Sequence, residues 1–357
     1  MRIGILTQHF LLNYGGIIQN YALQQVLIRL GHHPLTFEHD TCYSHFCWIL
    51  RVVKHVAKER NLKDLPSKPV YKGRIGQRNF IRFILRNISS VKVRNFSPNL
   101  TRRYQIEAYI VGSDQVWRPA FNLEPRLYNM FLDFAGSKPL KIAYAASFGT
   151  FDWEFTAEQT RRCRALASEF NAISVRESTG VELCKKYLGV NAEHVLDPTF
   201  LLQKEDYLKL CKDIPRQSGH VFAYSLVQRQ KVAEVAKRVA AVWHEPVIHK
   251  EAGSRVKAED SIEAWLAEFR DATSVVTDSF HGMVFSILFH KPFLIVMNPS
   301  GGNDRYLSLL NDLGLSDRIL SNGALPEVVQ PIDWNVVDAR LEEQRKASID
   351  FLKSSLS

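Results

Sequence analysis

Short runs of β-branched and apolar residues alternate with helical patterns along most of the chain, and this alternation constrains the fold more than any other feature. A first series runs from RIGILT to VLDPTFLL, and a second series runs from GHVFAYSLV to PFLIVM. Alternation of strands and helices predicts parallel sheets covered by helices. We therefore expect an α/β fold in which two Rossmann-like domains face each other across a cleft.

The point where the first series ends predicts a domain boundary near Leu202. Residues 1–202 are expected to form the first domain, residues 203–335 the second, and residues 336–357 a C-terminal helix. A length of 357 residues suits two domains. Because open parallel sheets bind ligands beyond the carboxyl ends of their strands, we expect the functional site at those ends, in the cleft.

The charge of the chain is concentrated in one segment. The formal net charge is +9, and the stretch from Arg51 to Arg103 holds 15 Lys and Arg against two acids. We interpret residues 43–103 as a basic helical insert in the first domain, because HFCWILRVVKHVAKERNLK and RNFIRFILRNI place apolar residues at helical spacing.

Two interpretations of this insert stay open. Basic amphipathic helices with aromatic residues are typical of proteins that bind an anionic membrane surface or a phosphorylated ligand. The other interpretation is a helix packed on the core with a solvated basic face. No zinc-finger or RNA-binding signature accompanies the charge, so we expect no nucleic-acid partner.

Several classes of protein are disfavoured. The opening MRIGILTQHF lacks the features of a signal peptide, and no window holds the roughly 18 apolar residues of a spanning helix. The cysteines are five in number and scattered, without a CxxC pair, which disfavours a disulfide framework or a structural zinc site. We expect a cytoplasmic protein that holds no metal.

The loop after the first strand, NYGGIIQNYAL, carries polar and small residues at the start of a helix. Gly15 and Gly16 would let backbone N–H groups approach an anion there, and Asn13 and Gln19 add polar side chains. The pattern matches neither a dinucleotide fingerprint nor a Walker A motif. The alternative interpretation is a plain tight turn.

A second strand, in IVGSDQVWRP, ends in polar residues. Ser113 and Asp114 would lie at the cleft, although Ser and Asp also cap helices. The nearby Trp117 would either stack on a sugar ring or pack in the core.

Two arginines follow strands of the predicted sheets. Arg176 comes directly after NAISV, where it would bind phosphate or carboxylate with two hydrogen bonds, or form a structural ion pair. Arg305 begins a helix after NPSGGND and would reach over the same cleft, unless this segment is an ordinary surface loop.

The sharpest motif is SVVTDSFHGMVFSILFHKPF, in which a strand ends and a helix begins at His281-Gly282. Ser279 is a candidate cap for that helix. The imidazole of His281 would then lie beside free N–H groups, where a histidine acts as a general acid or binds phosphate. A lone histidine is more often structural, but this arrangement favours a functional one.

Together, six motifs resemble the polysaccharide pyruvyl transferase family. They are NYGGIIQNYALQQVL, IVGSDQVWRPAF, AYAASFG, AISVRES, VLDPTFLL and VVTDSFHGMVFSILFHKPF, in this order. The resemblance implies a two-domain GT-B-like fold and transfer of pyruvate from phosphoenolpyruvate onto two hydroxyls of a sugar, which gives a cyclic ketal. It also implies that the functional arginine and histidine of the family fall on Arg176 and His281, and that its further basic residue falls on Arg305.

We assign residues to roles on this basis. The catalytic candidates are His281, Arg176 and Asp114; the donor-binding candidates are Arg176, Ser279, His281, Gly282 and Arg305; and the acceptor-binding candidates are Asn13, Gly15, Gly16, Gln19, Ser113, Asp114 and Trp117. His281 would act as the acid or stabilise the leaving phosphate, and Asp114 would act as the base. Ser279 stands where other members of the family carry arginine.

The expected partners are phosphoenolpyruvate as co-substrate and a glycan or lipid-linked oligosaccharide as acceptor, with no further cofactor. Residues 43–103 would hold the enzyme at an anionic membrane surface, on the inner face of the cell membrane. Two alternatives stay open: a GT-B-type glycosyltransferase that uses a nucleotide sugar, and a binding protein without enzymatic activity.

Overall fold

Two parallel β-sheets form the framework of the computed structural model, which describes residues 1–10, 13–39, 78–298, 302–320 and 331–357. Among the described residues the first sheet has seven strands in the order β3-β2-β1-β4-β5-β6-β7. Its strands are β1 (Arg2–Leu6), β2 (His33–His39), β3 (Ser90–Val93), β4 (Ala108–Val111), β5 (Leu140–Ala146), β6 (Ala172–Val175) and β7 (Glu193–His194).

The second sheet, again among the described residues, has four strands in the order β11-β10-β8-β9. They are β8 (Val221–Ser225), β9 (Val247–Glu251), β10 (Ser274–Thr277) and β11 (Phe293–Ile295). Every pairing in both sheets is parallel, as strand–helix alternation requires. The predicted α/β fold with two Rossmann-like units is confirmed.

Helices connect the strands. In the first half they are α1 (Tyr14–Arg29), α2 (Arg78–Asn87), α3 (Asn99–Tyr104), α4 (Arg126–Asn129), α5 (Ala157–Ala167) and α6 (Ser178–Leu183). In the second half they are α7 (Lys204–Leu210), α8 (Arg229–Trp243), α9 (Ile262–Asp271), α10 (Phe280–Leu288), α11 (Asp304–Leu313) and α12 (Trp334–Ser355). Not one of these helices combines the length and the apolar character needed to cross a bilayer.

The first sheet is buried on both faces. All four residues of β4 are buried, and alternate side chains point to opposite sides, as they do in any strand. Ala108 and Ile110 join the core cluster that also contains α1, whereas Tyr109 and Val111 join the cluster on the other face. Only the carboxyl ends of the strands and their loops are left to meet a ligand.

The two sheets separate between His194 and Val221, on either side of Leu202, where the boundary is predicted. The last helix, α12, crosses back onto the first half. The Leu196 amide donates to Ser348 Oγ at 3.0 Å, and Arg345 Nε donates to the Phe200 carbonyl at 2.6 Å. The same helix contacts the second half, where Asp338 Oδ1 lies 2.9 Å from His290 Nε2. The C-terminal helix therefore packs against both halves, which its polar sequence did not indicate.

The segment predicted as a basic helical insert needs a correction. Residues 40–77 lie outside the described residues, but the rest of the segment belongs to the framework. Strand β3 pairs with β2 as the edge of the first sheet, and α2 buries Phe80 and Phe83 in the core. The prediction was wrong for β3 because SVKV is short and half polar, and only its pairing with β2 shows it to be a strand.

Candidate active site

The turn between β10 and α10 holds the sharpest motif in a fixed position. The Asp278 carboxylate accepts hydrogen bonds from the Leu226, Val227 and Gln228 amides at 2.6, 2.7 and 2.5 Å, which ties the turn to the loop after β8. Ser279 caps α10 by accepting from the Gly282 amide at 3.2 Å. The cap orients the start of the helix, where His281 lies.

Gly282, a predicted donor-binding residue, is required by close packing. A Cβ atom there would lie 2.4 Å from Thr277 Oγ1, so α10 approaches β10 only because this residue has no side chain. The capping serine and this glycine thus position the histidine between them in the chain.

His281 lies where the two halves of the chain meet. A Cβ atom on Gly15 would lie 2.1 Å from the His281 Nδ1 atom, so the start of α1 packs directly on the imidazole ring. The Nε2 atom is buried without a hydrogen-bond partner, and it lies 3.8 Å from Asp197 Oδ1. The helix starts of α1 and α10 therefore meet at one imidazole.

The pKa of His281 is lowered to about 4. Burial is the main cause, and the positive charges of Arg176 and Arg305 add to it, whereas Asp197 and Asp114 oppose it. At neutral pH the ring is therefore neutral. A neutral Nε2 accepts a proton, and it becomes a donor once a nearby anion raises the pKa.

Arg176 lies at the centre of a buried polar network. Its Nη1 atom contacts Asp197 Oδ2 at 2.8 Å and Ser113 Oγ at 3.5 Å, and its Nη2 atom contacts Asp114 Oδ1 at 3.4 Å. Ser113 Oγ also donates to Asp197 Oδ2 at 2.8 Å. Arg176 was interpreted either as a ligand-binding residue or as part of a structural ion pair. The structure shows the ion pair, and this pair lies within the candidate site.

The charges in this network are held ionised. Burial alone would raise the pKa of Asp197, but His281, Arg176 and the hydrogen bonds from Thr199 outweigh it and lower the pKa to about 2. Burial would likewise raise the pKa of Asp114, and Arg176, followed by His281, lowers it instead. Asp114 is thus an arginine-paired carboxylate, which weakens it as a base.

Arg305 supplies a second guanidinium without a carboxylate bound to it in the described residues. The guanidinium carbons of Arg176 and Arg305 lie 4.6 and 5.5 Å from the centre of the Phe280 ring. Burial and then the charge of Arg176 lower the pKa of Arg305, and its Nε atom is buried without a partner. Two cations on one aromatic ring repel each other, and a bound anion would relieve that repulsion.

Two buried carboxylates beside the arginines were missed by the sequence analysis. Glu177 accepts from the Phe148 and Gly149 amides at 2.7 and 3.2 Å through Oε1, whereas its Oε2 is buried and unpaired. Asp304, the first residue of α11, is 1 % exposed, and neither carboxylate oxygen has a partner. Burial and then the charge of Glu177 raise the pKa of Asp304 to about 7.

Asp197 was missed as well, and the three carboxylates differ in how far the sequence indicates a place in the site. Asp304 is next to Arg305 in the chain, so its position beside a predicted site residue was visible in the sequence. It was not named because the segment was interpreted as a possible surface loop. Asp197 lies in the quoted VLDPTFLL motif, where its carboxylate bonds the Thr199 amide and hydroxyl at 3.1 and 2.7 Å. Nothing in the sequence indicates that Glu177 turns inward.

The predicted acceptor residues of α1 are partly structural. Asn13 caps the helix by accepting from the Gly16 amide at 3.3 Å. Gln19 is fully buried and donates to Thr7 Oγ1 at 2.9 Å and to the Gly16 carbonyl at 3.0 Å. Gly15 lies against His281, so it belongs with the donor candidates in space.

One acceptor prediction is wrong. Trp117 is fully buried, stacks on Phe131 with ring centres 4.8 Å apart, and donates through Nε1 to the Met130 carbonyl at 2.9 Å. A side chain in this position is part of the core and is not available to a sugar. The alternative interpretation, packing, is the one that the structure supports.

Within the described residues, no group of three or more His, Cys, Asp or Glu is arranged to hold a metal ion. The described cysteines, Cys163, Cys184 and Cys211, are buried free thiols, and Cys42 and Cys47 lie outside the described residues.

The architecture defines the class of protein. The chain has two parallel α/β sheets, and a histidine and two arginines lie where helices of both halves converge. This is a two-domain α/β protein of GT-B-like fold. The family model for polysaccharide pyruvyl transferase matches residues 13–300, which is more than half of the chain. The chain therefore belongs to the polysaccharide pyruvyl transferase family, a family of transferases.

Solved structures show distant likenesses over the whole chain. UDP-GlcNAc 2-epimerase from Methanocaldococcus jannaschii is 12% identical at a TM-score of 0.47, covering 97% of this chain and 93% of that one. The same enzyme from Neisseria meningitidis is 9% identical at a TM-score of 0.47, with 98% and 94% covered. A glycosyltransferase from Rickettsia africae is 10% identical at a TM-score of 0.39, with 100% and 94% covered. Similarity at this level carries no argument about function. A comparison with curated protein sequences finds no significant match.

Proposed function

We propose that this transferase moves the pyruvyl group of phosphoenolpyruvate onto two hydroxyls of a sugar in a polysaccharide or lipid-linked glycan, which forms a cyclic ketal. One observation carries the proposal. The guanidinium carbons of Arg176 and Arg305 lie 4.6 and 5.5 Å from the centre of the Phe280 ring. The next residue, His281, has a buried Nε2 without a partner, at the junction of two helix starts. A small ligand with a phosphate and a carboxylate needs such a set of cations and free N–H groups.

The charge balance of the site favours such a donor. Arg176 is already compensated by two carboxylates, Asp197 and Asp114, whereas Arg305 has no bound carboxylate in the described part of the chain. Phosphoenolpyruvate would supply a negatively charged partner for the Arg305 guanidinium. It would also raise the pKa of the neighbouring imidazole, because a nearby anion stabilises the protonated ring.

The reaction requires the movement of two protons. Two C–O bonds form at C2 of the donor, the bond from C2 to the phosphate oxygen breaks, and the methylene carbon gains one proton. The two acceptor hydroxyls release two protons, of which one balances the proton on carbon and the other leaves with phosphate. There is no net oxidation or reduction, because the C–O bond gained at C2 is balanced by the C–H bond gained at the methylene carbon. An acid and a base are therefore sufficient.

Two groups suit these transfers. His281 is neutral at neutral pH because burial lowers its pKa to about 4. We therefore assign it the role of taking a hydroxyl proton on Nε2 and passing it to the leaving phosphate. The proton for carbon must come from a group that carries one near neutral pH. Asp304, with a pKa of about 7 and two unpaired oxygens, is our candidate for that role.

A ligand-binding test distinguishes the donors. Thermal unfolding is followed with phosphoenolpyruvate, with nucleotide diphosphates and with nucleotide sugars. We expect stabilisation by phosphoenolpyruvate that is lost in His281→Gln and in Arg305→Gln. The matched control is His290→Gln, since His290 lies at the far end of α10, where it is exposed and pairs with Asp338 at 2.9 Å.

The outcomes separate the alternatives. Stabilisation by a nucleotide diphosphate and none by phosphoenolpyruvate would replace the proposal by a GT-B-type glycosyltransferase. Phosphate release from phosphoenolpyruvate with a glycan acceptor, together with a new methyl signal in the product, would support ketal formation. The same release at full rate in His281→Gln would refute the assignment of the site.

We also propose that the enzyme acts at the cell membrane. The basic residues between 78 and 103 are compatible with an enzyme that works at the inner face of the cell membrane, on an acceptor carried there.

A further inference from the structure

Helix α2 presents an unusual surface to solvent. Its three arginines, Arg78, Arg82 and Arg86, are exposed, and so are two large apolar side chains, Ile81 at 48% and Leu85 at 78%. We call these five residues the basic–apolar face. Ile81 and Leu85 are one helical turn apart, so together with the arginines they form one continuous surface that is both charged and apolar.

The helical geometry sorts the five residues into two adjacent stripes. At about 100° per residue, Arg78, Arg82 and Arg86 form one stripe, and Ile81 and Leu85 form the next. The opposite side of the helix buries Phe80 and Phe83 in the core. The helix is therefore anchored by one side and leaves a side with both charge and apolar surface, which is the pattern of a helix that lies in a membrane interface.

The charge along this stretch of the sequence has one sign. Residues 78–103 contain seven Lys and Arg and no Asp or Glu. Glu259 is an exposed acid next to Ala258, whose carbonyl accepts from Asn79, so the basic character belongs to the exposed face of α2 itself. Three exposed arginines favour an anionic partner, and the two apolar side chains favour one with a hydrocarbon layer beneath its charges.

The position of α2 links this face to the active site. The Phe80 ring lies 4.9 Å from the Tyr14 ring, and Tyr14 immediately precedes Gly15, which packs on His281. Asn79 Nδ2 also donates to the Ala258 and Asp260 carbonyls at 3.1 Å, so α2 contacts the second half of the chain as well. The buried side of α2 is thus connected, through Phe80 and Tyr14, to the residue that packs on His281.

We propose that the basic–apolar face of α2 docks on the surface of an anionic lipid bilayer. The docking would bring the cleft next to the headgroup region, where a lipid-linked acceptor presents its sugar. This last step rests on the proposed function, whereas the docking itself does not.

Vesicle sedimentation of the full chain tests the proposal. We expect binding to vesicles that mix phosphatidylglycerol with phosphatidylcholine, and little binding to phosphatidylcholine alone. If each arginine near the surface contributes about 1 kcal/mol, the double substitution Arg82→Gln with Arg86→Gln lowers the partition coefficient by roughly 25-fold. Leu85→Ser should lower it several-fold as well, because the apolar contact is lost.

Matched controls lie on other surfaces. Leu123 is as exposed as Leu85, at 77%, and Arg161 is an exposed arginine of α5. We expect Leu123→Ser and Arg161→Gln to bind vesicles like the unchanged chain. In addition, the tryptophan emission of Leu85→Trp should shift to the blue on anionic vesicles, and that of Leu123→Trp should not.

Three results would overturn the proposal. They are equal binding to neutral vesicles, equal losses in the control variants, and vesicle binding that survives removal of the whole face. Binding of RNA or heparin that is unaffected by Leu85→Ser, without vesicle binding, would replace the bilayer by a polyanion. Stabilisation by phosphoenolpyruvate is measured on the same variants and should be unchanged, so failure of docking and failure of the proposed function are distinguishable.

Discussion

The buried carboxyl group of Asp304 should make the protein less stable above neutral pH, and replacing it with asparagine should remove that penalty. The side chain is 1 % exposed and both oxygens lack partners, so the carboxylate loses its hydration and gains nothing in exchange. Asparagine has nearly the same shape and carries no charge. Asp304→Asn therefore isolates the cost of the charge from the cost of changing the packing.

The magnitude follows from the pKa. Burial, followed by repulsion from Glu177, raises the pKa of Asp304 from 3.8 to about 7. A shift of this size corresponds to at most about 4 kcal/mol, at 1.36 kcal/mol per pKa unit. Relaxation of the neighbouring charges reduces that figure, so we expect about 2 kcal/mol in the free energy of unfolding.

The sign depends on pH. Because the folded chain binds this proton more tightly than the unfolded chain, its stability falls as the pH rises from about 4 to about 7, and the loss is complete above that. Asp304→Asn should therefore be more stable than the unchanged protein near pH 8. Near pH 4 the folded carboxyl group is protonated and the unfolded one is only about half ionised, because its pKa is 3.8. Most of the penalty is then absent, and the two proteins should differ by less than about 1 kcal/mol.

Urea unfolding at the two pH values measures the difference. The control is Asp213→Asn, an exposed aspartate of the second half, which should change stability little at either pH. Equal effects of Asp304→Asn at both pH values would refute the reasoning, because the charge would then not be the source of the penalty. The same variant should bind phosphoenolpyruvate but lose most ketal formation, and full turnover would remove Asp304 from the mechanism.

Three further variants test the geometry of the site and of the core. Gly15→Ala places a Cβ atom 2.1 Å from His281 Nδ1 and should lower phosphate release from phosphoenolpyruvate by at least about tenfold. The control is Gly219→Ala in an exposed loop, where a Cβ atom meets nothing within 4 Å, and this variant should stay active. Asp197→Asn leaves a buried arginine without its closest partner and should cost about 3 kcal/mol in urea unfolding at neutral pH. Because burial is outweighed by neighbouring positive charge and the pKa of Asp197 is about 2, the unchanged protein should lose this stability only as the pH falls from about 4 towards 2. Trp117→Phe removes a core hydrogen bond and should lower the free energy of unfolding by about 1–3 kcal/mol without changing the KM for the acceptor.

Much of the fold was predictable because it depends on local patterns. The strand RIGILT and the helix that begins after Asn13 follow from β-branched runs, a capping residue and helical spacing, which are properties of neighbouring residues. The motif around His281 was predictable for the same reason, since a strand, a capping serine and a helix follow one another within a few residues. The edge strand β3 was missed because its residues are weakly apolar.

The candidate site was only partly predictable. Arg176, His281 and Arg305 each follow a strand or begin a helix, so their places at the cleft were visible in the sequence. The sequence did not show that Asp197 holds Arg176 or that Gly15 packs on His281, because each of these contacts joins residues far apart in the chain. The role of Trp117 was not decided by the sequence, since an aromatic side chain after a strand can either stack on a sugar ring or pack in the core.

The sequence by itself determined the alternation of strands and helices, the family, and the chemical groups at the strand ends, because these depend on residue type and on spacing over a few positions. Tertiary structure decided which charges are paired. It buries Asp304 without a partner, neutralises His281 and leaves Arg305 without a bound carboxylate in the described residues. Ionisation depends on desolvation and on neighbours brought from distant parts of the chain, and neither is a property of local sequence.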